Sequence, residues 1–453
     1  MQKEDKNWRS LIKKIWKKFQ GQLFSNMLTV AVVSLLVKGI AFFKEILIAD
    51  TFGISELLDT YLIAVLVPSF VQNVFIGSYS SVFIPNYVAE KSHQQQSIGA
   101  FQGSSFIITL ALALIMMGIT YLGIDVYLEV LFPGHEPHYY ELIKTQLWIV
   151  LPCMLFWGVS SLISGLLMVN DEFLYSSLKG LFVPLTTIIF LAFFHQNLQE
   201  KTLAIGMLVG SVLSLIYLIV IGTKKKVICI DKPNFKSHNI QILIKQFPAK
   251  ISSSLIHGMN PMVDQYFSAQ LAVGAIASLN YGSKVPVVVL GLISIPVGST
   301  LLPYFSKKAL DGSKTLFNYL NKILASGLGL GSILAILLIL LSKLIITLFF
   351  ERGTFTSSDT DQVYIIQQMY LIQIPFYISA IVMNKYLNAI NKNNFLVLSS
   401  VVNLILNIVL NYIFLKLMGV KGIALATSIV YFVNALIIYL YIRKIHNNQT
   451  ASI

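Results

Sequence analysis

Charge is scarce in this chain of 453 residues. Asp, Glu, Lys and Arg make up only 12% of it, whereas hydrophobic residues make up 56%. A soluble domain has about a quarter of its residues charged, so the composition excludes a large soluble protein and predicts an integral membrane protein. Cysteine is scarce as well: Cys153 and Cys229 give neither a disulfide framework nor a metal-ligand spacing.

The sequence also lacks the motifs of an enzyme active site. It contains no paired-carboxylate motif, no glycine-rich phosphate loop and no nucleophile elbow, and its seven histidines are scattered. A membrane-embedded glycosyltransferase or ligase would need such a motif in a large loop, and the loops here are short. We therefore expect a transporter that is not an enzyme and has no cofactor.

The net charge of +13 lies between the apolar runs and not on one polar domain. Basic residues concentrate in the N-terminal tail, in Thr223–Lys245, around Lys307 and in the tail after Arg443, while the alternate loops are acidic. An even number of helices would place both termini and all the basic loops on one side, the cytoplasm. We therefore expect a multi-pass protein of the bacterial plasma membrane and no nucleic-acid partner.

Apolar runs of about twenty residues or more predict about twelve membrane helices and an all-α integral membrane fold. We place them near residues 24–50, 60–88, 101–124, 143–169, 174–195, 202–222, 241–270, 276–303, 316–349, 363–390, 394–416 and 421–443.

An internal repeat indicates two lobes. Pro68 and Pro85 are 17 residues apart, as are Pro286 and Pro303, and the two pairs are offset by 218 positions. Two parallel halves of about six helices around a central cavity are a common transporter plan; chance matching of apolar sequence is the alternative. The predicted segments are a basic amphipathic segment at 1–22, an N-terminal lobe at 23–222, a cytoplasmic basic linker at 223–245, a C-terminal lobe at 246–445 and a tail at 446–453.

Lys38, Lys44 and Glu45 lie inside the first apolar run, VKGIAFFKEILIAD. A lysine near the bilayer centre costs about 2.5–3.5 kcal/mol on insertion scales. Lys38 and Glu45 share a helix face, so an ion pair that only buffers charge is one interpretation, but it assigns Lys44 no partner. We favour a cation-lined cavity for an anionic substrate, with Glu45 holding Lys38 until the anion arrives. Lys284 is the matching cation of the second half.

Two acidic residues also lie in or beside predicted spans. Asp59 starts the second span and either pairs with a lysine or caps its helix. Asp264 is deeper, and an isolated membrane carboxylate predicts a cation or proton site. Asn407 and Asn411, spaced i, i+4, offer neutral oxygens, although hydrogen bonding between helices is the simpler explanation for such a pattern.

Four stretches together resemble the MurJ/MviN family of lipid II flippases, within the superfamily of multidrug, oligosaccharidyl-lipid and polysaccharide exporters. They are KGIAFFKEILIADTFGISELLDTYLIAVLVPSFVQNVFIGSYSSVFIPNY, LNYGSKVPVVVLGLISIPVGSTLLPYFSKK, LFFERGTFTSSDT and GVKGIALATSIVYFVNAL. The third is similar to the family's Phe-x-Arg-Gly-x-Phe signature. The resemblance implies two six-helix lobes in a V shape around a central cavity, as in the multidrug exporters of the superfamily, and alternating-access transport of undecaprenyl-pyrophosphate-linked saccharides.

The resemblance also implies a pyrophosphate site built from cavity cations. Lysines replace the usual arginines at three positions of this chain, an acidic family position is kept, and a further arginine is replaced by glutamine. Lysine lacks the bidentate fork of arginine, so the headgroup stays open between lipid II and, as the alternative, a capsule, O-antigen or exopolysaccharide repeat unit. The predicted substrate site consists of Lys38, Lys44, Lys284, Asp59, Glu45 and Gln72.

Some members of the family bind sodium in the second lobe, and the resemblance implies such a site here. Its ligands would be Asp264, Asn407, Asn411, Thr427 and the backbone carbonyl of Ile423. Asn411 stands where the family has an acidic residue, so the implied site is weaker by one charge. The family also commonly has two further C-terminal helices, and their absence here keeps the polysaccharide-repeat alternative open.

The sequence therefore predicts a monomeric flippase that moves an undecaprenyl-pyrophosphate-linked saccharide from the inner to the outer leaflet. The inside-negative membrane potential favours outward movement of anions by about 2.3 kcal/mol per charge per 100 mV, and sodium is the expected coupling ion. A multidrug cation exporter of the same fold is less favoured, because it would need an acidic cavity.

Overall fold

The computed structural model describes residues 31–92, 98–308, 313–392 and 394–451, and these residues form helices and short turns without a strand. The basic segment predicted at 1–22 lies outside the described residues. Nine stretches of the described part are long and apolar enough to cross a membrane. The all-α membrane class is therefore confirmed, while the exact number of twelve spans and the lobe boundaries stay predictions.

The first half of the chain is a series of helices joined by short turns. A π-helical turn, Gln72–Ile76, joins α2 to α3, and two 3-10 turns, Lys179–Leu181 and Gln199–Lys201, flank α8. The helices are α1 (31–52), α2 (Glu56–Val71), α3 (Gly77–Ser92), α4 (Ile98–Leu131), α5 (Pro137–Val150), α6 (Cys153–Val169), α7 (Phe173–Leu178), α8 (Phe182–Leu198) and α9 (Thr202–Lys224).

The second half follows a non-helical connection at 225–237, which is shorter than the predicted linker at 223–245. The helix after it begins early because Ile240 and Leu243, three residues apart, are fully buried and extend its apolar face. The helices are α10 (His238–Ala269), α11 (Ala275–Lys308), α12 (Ser313–Leu340), α13 (Ser342–Phe350), α14 (Ser357–Leu371), α15 (Ile374–Ala389), α16 (Asn394–Met418) and α17 (Val420–Ala451).

The proline repeat falls on corresponding elements of the two halves. Pro68 lies in α2 and Pro85 in α3, on either side of the π-helical turn. Pro286 and Pro303 both lie in α11, which is one continuous helix. A π-helical turn inserts one residue into the hydrogen-bond ladder of a helix and often marks a functional position. The first half has such a turn, beginning at Gln72, where the second half has a continuous α-helix.

The two halves meet at one end of the bundle, here called the Gly53 end, which contains residues 46–61, 269–281 and 346–363. A single buried apolar cluster there includes Phe52 and Tyr61 of the first half and Tyr281 and Phe355 of the second. The Tyr281 hydroxyl donates to the carbonyl of Gly53 at 3.2 Å. Apolar burial and backbone hydrogen bonding therefore hold the halves together at this end.

The α13–α14 turn fits against the end of α1 with almost no free space. The Thr354 amide donates to the carbonyl of Asp50 at 2.9 Å. Gly53 and Gly353 both have positive φ, at 52° and 55°. A Cβ on Gly53 would lie 2.7 Å from the Thr354 carbonyl oxygen, and one on Gly353 would meet the backbone and carboxylate of Asp50. Glycine at 353 lets the Arg-Gly signature approach α1.

Polar contacts join the halves along α3 and α10 toward the opposite end, here called the Glu90 end. The Asn239 side-chain amide donates to Glu90 at 2.5 Å, and the Ser78 hydroxyl donates to the Ser254 hydroxyl at 2.8 Å. Between them, the Asn86 amide donates to the Gln246 carbonyl oxygen at 3.0 Å. Between the Gly53 end and the α3–α10 contact, α1 faces α11, and the space between these two helices is here called the cleft.

We predict that Gly353→Ala destabilises the Gly53 end more than Gly419→Ala does. Both glycines are left-handed, with φ of 55° and 64°, so alanine costs each roughly 1–2 kcal/mol of backbone strain. Only the Cβ at 353 collides with a neighbour; the Cβ at 419 meets nothing within 4 Å. Thermal unfolding of the purified variants measures this, and equal loss of stability would contradict the packing described here.

Candidate substrate site and ion site

A three-residue ion pair joins α1 to α11 inside the cleft. The Lys44 ammonium lies 2.8 Å from Glu45 Oε1, and the Lys284 ammonium lies 2.9 Å from Glu45 Oε2. Each carboxylate oxygen thus faces one lysine, and the two lysines belong to opposite halves of the chain. Buried charges are tolerated only when they are paired, so Glu45 is what allows two lysines to lie this close together.

These side chains are mostly removed from solvent but not sealed. The exposed fractions are 19% for Lys44, 16% for Glu45 and 22% for Lys284. With Lys38, the cleft holds three lysines against one glutamate, a net charge of 3 − 1 = +2. A surplus of positive charge favours anions over cations as ligands.

Lys38 lies about 9 Å from Lys44 along α1, at a rise of 1.5 Å per residue. It is half-buried, and its ammonium lies against Gly291 of α11, where any side chain would collide with it. The described ion pairs do not include Lys38. The expectation that Glu45 holds Lys38 is therefore wrong for this structure, because Lys284 of α11 reaches the carboxylate from across the cleft.

Asp59 lies outside this cluster and joins the halves in another way. It is 1% exposed, and its two oxygens accept the amides of Gly274 and Ala277, each at 2.6 Å. These amides form the N-terminus of α11, where a carboxylate is favoured by unpaired N–H groups and the helix dipole. Ser55 caps α2 instead. The sequence predicted that Asp59 would either pair with a lysine or cap its own helix, and both expectations are wrong for this structure, because its carboxylate caps α11 of the second half.

Gln72 begins the π-helical turn and takes part in no ion pair. Its Oε1 atom is buried and has no hydrogen-bond partner among the described residues. The same turn packs on α10, since Val74 lies against Gly258. The structure therefore brings Lys38, Lys44, Glu45 and Lys284 together along α1 and α11, and it places Gln72 on the α2–α3 side of the interface.

All five residues of the predicted ion site meet in the second half. Asp264 of α10 accepts the side-chain amides of Asn407 at 3.2 Å and Asn411 at 2.8 Å from α16. Thr427 of α17 lies 3.5 Å from the other oxygen of Asp264, and its hydroxyl also donates to the carbonyl of Ile423 at 3.2 Å.

The donor set fits a monovalent cation. It contains one carboxylate and otherwise neutral oxygens. Both asparagines here turn their amide nitrogens to Asp264, and the Asn411 side-chain oxygen is buried without a partner among the described residues. Hard cations prefer oxygen ligands, and neutral carbonyls suffice for an alkali ion. In the described part of the chain, no group of three His, Cys, Asp or Glu side chains could hold a metal. Sodium binding itself stays a prediction.

Sequence analysis missed two residues that close the Gly53 end. Tyr281 precedes Lys284 by three residues on α11 and donates to Gly53, and Thr354 follows the Arg-Gly pair and donates to Asp50. Tyr281 and Lys284 are three residues apart and share a helix face, and this spacing was a signal that the two side chains lie near each other. Nothing in the sequence near Thr354 indicates that its partner lies some 300 residues earlier.

Two solved structures of transporters share this arrangement of helices. A multidrug-resistance transporter of the MATE family in the MOP superfamily, in an inward-facing conformation, superposes with a TM-score of 0.74 at 12% identity, over 93% of this chain and 99% of that one. A lipid II flippase MurJ in an inward closed conformation superposes with a TM-score of 0.80 at 26% identity, over 92% and 87%. The chain therefore has the membrane-transporter fold that these two proteins share.

Sequence comparison narrows the class. A family model described as lipid II flippase MurJ matches residues 48–453. The lipid II flippase MurJ of Thermosipho africanus is 28% identical over 90% of this chain and 83% of its own length. A probable lipid II flippase MurJ of Buchnera aphidicola is 23% identical over 92% and 82%. The chain belongs to the MurJ family of lipid II flippases, as its sequence motifs predict.

We predict that Asp59→Ala weakens the junction between the halves. The substitution leaves two amides at the start of α11 without their acceptor, and an unsatisfied buried donor costs about 1–3 kcal/mol. Glu56→Ala is the matched control, because Glu56 lies one turn earlier on α2 and is only partly buried. Thermal unfolding of both variants tests this. A loss in Asp59→Ala no larger than in the control would contradict the capping role.

Proposed function

We propose that this chain flips lipid II, an undecaprenyl-pyrophosphate-linked saccharide, from the inner to the outer leaflet of the bacterial plasma membrane by alternating access. The observation that carries the proposal is the cation surplus of the α1–α11 cleft, where Lys38, Lys44 and Lys284 outnumber Glu45. Membership of the MurJ family and the names of the relatives support lipid II as the cargo.

On binding, the diphosphate of the substrate replaces the Glu45 carboxylate as the anion that contacts the lysines. A diphosphate offers several charged oxygens to the lysines that share Glu45, and a charge-assisted hydrogen bond is about twice as strong as a neutral one. Lysine ammoniums act as compact point charges and do not impose the planar geometry of arginine. When the diphosphate takes Lys44 and Lys284, Glu45 loses its pair across the cleft, and this frees the halves to move.

The ion site serves to reset the carrier. A sodium ion at Asp264, with Asn407, Asn411, Thr427 and the Ile423 carbonyl as the remaining ligands, would neutralise the single carboxylate. The ion site lies on α10, α16 and α17, away from the lysines of α1 and α11. A bound sodium ion therefore acts on the shape of the second half and not on the substrate directly. Inward movement of sodium and outward movement of the lipid anion both follow an inside-negative potential.

Two other cargoes are less favoured. A repeat unit of capsule, O-antigen or exopolysaccharide carries the same diphosphate and would use the same lysines, but the family match favours lipid II. A multidrug exporter of cations would meet a net positive cleft, and like charges repel. The likeness to the MATE transporter, at 12% identity, concerns the fold alone.

We predict that replacing any one cleft lysine by alanine lowers lipid II flipping at least tenfold. The variants are Lys38→Ala, Lys44→Ala and Lys284→Ala, and each loses a hydrogen bond to a charged group that is worth about 1.5–3 kcal/mol. Lys201→Ala is the matched control, because that lysine is 46% exposed at the turn before α9. The measurement is flipping of labelled lipid II by the purified protein in proteoliposomes.

Wild-type flipping by all three variants, at normal membrane levels, would contradict the lysine site. Complementation identifies the cargo separately: rescue of cells depleted of their lipid II flippase is the expected result. Failure to rescue, together with loss of a surface polysaccharide on deletion of the gene, would show that a repeat unit is carried instead.

A further inference from the structure

A second layer of oxygen atoms lies one helical turn from the Asp264 site, on the same three helices. Asn260 precedes Asp264 by four residues on α10, and Asn403 precedes Asn407 by four on α16. Tyr431 follows Thr427 by four on α17. Residues four apart lie on one face of a helix, about 6 Å apart along its axis.

The directions of the three helices place all of this second layer on one side of the Asp264 site. Near the Gly53 end, Phe267 of α10 packs in one cluster with Leu415 of α16 and Ile423 of α17. The helices α10 and α16 run toward that end, and in them Asn260 and Asn403 come four residues before the ion-site residues. The helix α17 runs away from that end, and in it Tyr431 comes four residues after Thr427. All three are therefore displaced from the ion site toward the Glu90 end.

Two of these residues have oxygens that nothing in the described structure satisfies. The side-chain oxygens of Asn260 and Asn403 are buried and have no hydrogen-bond partner among the described residues. A buried acceptor left without a donor costs about 1–3 kcal/mol, so two of them at one depth on facing helices point to a ligand that is attracted by both oxygens. A cation has this property, and an apolar group does not.

The oxygen layer continues to the cleft. The ring of Tyr431 contacts that of Tyr377 at 5.4 Å, and the Tyr377 hydroxyl lies 3.2 Å from the hydroxyl of Ser294 on α11. Ser294 lies three residues after Gly291, against which the ammonium of Lys38 packs. Oxygen-bearing side chains thus follow one another from Asp264 to α11, and the step from Tyr431 to Tyr377 is a contact between their rings.

We propose that Asn260, Asn403 and Tyr431 form a transient site for a monovalent cation, and that with Tyr377 and Ser294 they conduct it between the cleft and Asp264. The proposal rests on the ion site at Asp264. The chemistry selects the ligand class: amide, phenol and hydroxyl oxygens can replace the water around an alkali ion, whereas calcium sites draw on carboxylates. Having no charge, the layer binds weakly enough to release the ion, as a conducting site must.

The test is the exchange of radioactive sodium by the purified full-length protein. The Asn260→Leu/Asn403→Leu double variant removes both unsatisfied oxygens but keeps every ligand of the Asp264 site. We expect bound sodium to exchange at least tenfold more slowly than in wild type, while the half-saturating sodium concentration changes less than threefold. The Asn260→Ser/Asn403→Ser variant keeps an oxygen at each position and should exchange at close to the wild-type rate.

Gln265→Leu is the matched control. Gln265 is adjacent to Asp264, and its side-chain oxygen is also buried without a partner among the described residues, but it projects from another face of α10. It should exchange sodium as wild type does. Wild-type exchange in the leucine pair, or equal slowing in Gln265→Leu, would overturn the route.

Asp264→Asn separates the route from the site that it serves. We expect this variant to lose sodium binding altogether. Retention of binding would overturn the ion site and the route with it, and so would a wild-type protein that binds no sodium. None of these measurements uses lipid II, so they leave the assignment of the cargo to the flipping assay.

Discussion

The pairing of one carboxylate with two lysines between the two halves is the interaction on which the rest of this structure depends. Glu45 contacts Lys44 on its own helix and Lys284 on a helix of the other half. Moving an unpaired charge into an apolar protein costs several kcal/mol, so Glu45 offsets part of the cost of placing Lys44 and Lys284 side by side. Because Glu45 is a single carboxylate, it cannot neutralise the cleft, and the remaining positive charge is available to a substrate.

The contacts between the halves fall into two kinds. At the Gly53 end they are apolar packing and backbone hydrogen bonds, including the cap that Asp59 places on α11. In the cleft the contact is electrostatic, and in the proposed cycle a diphosphate replaces it. A carrier needs this division, because the substrate must be able to break one contact between its lobes without supplying the energy to break all of them.

The sequence alone indicated the chemistry of the site but not its pairing. Lys38, Lys44, Glu45 and Lys284 were all predicted, because charge in an apolar run is conspicuous and needs an explanation. The partner of Glu45 was predicted wrongly, since helical periodicity relates residues of one helix and is silent about a helix some 240 residues later. The same holds for Asp59, whose two acceptor bonds go to the start of α11.

The ion site shows the opposite case. The family motif placed Asp264, Asn407, Asn411, Thr427 and Ile423 in one site, and the structure brings them within hydrogen-bonding distance of one another. The family resemblance was needed for this prediction. Three separate helices supply the ligands, and the local sequence pattern of each helix does not show that they meet. Neither the local sequence pattern nor the family resemblance predicts the unsatisfied oxygens of Asn260 and Asn403, since only atomic packing shows which acceptors are left without donors.

The exchange of Glu45 for a diphosphate is the central claim, and the affinity of the Glu45→Gln variant for lipid II tests it most directly. If the carboxylate competes with the diphosphate for Lys44 and Lys284, removing its charge should tighten binding about tenfold, or about 1.4 kcal/mol. Lys284→Gln, measured alongside it in the same nanodiscs, should weaken binding. Unchanged or weaker binding of lipid II by Glu45→Gln would contradict the exchange.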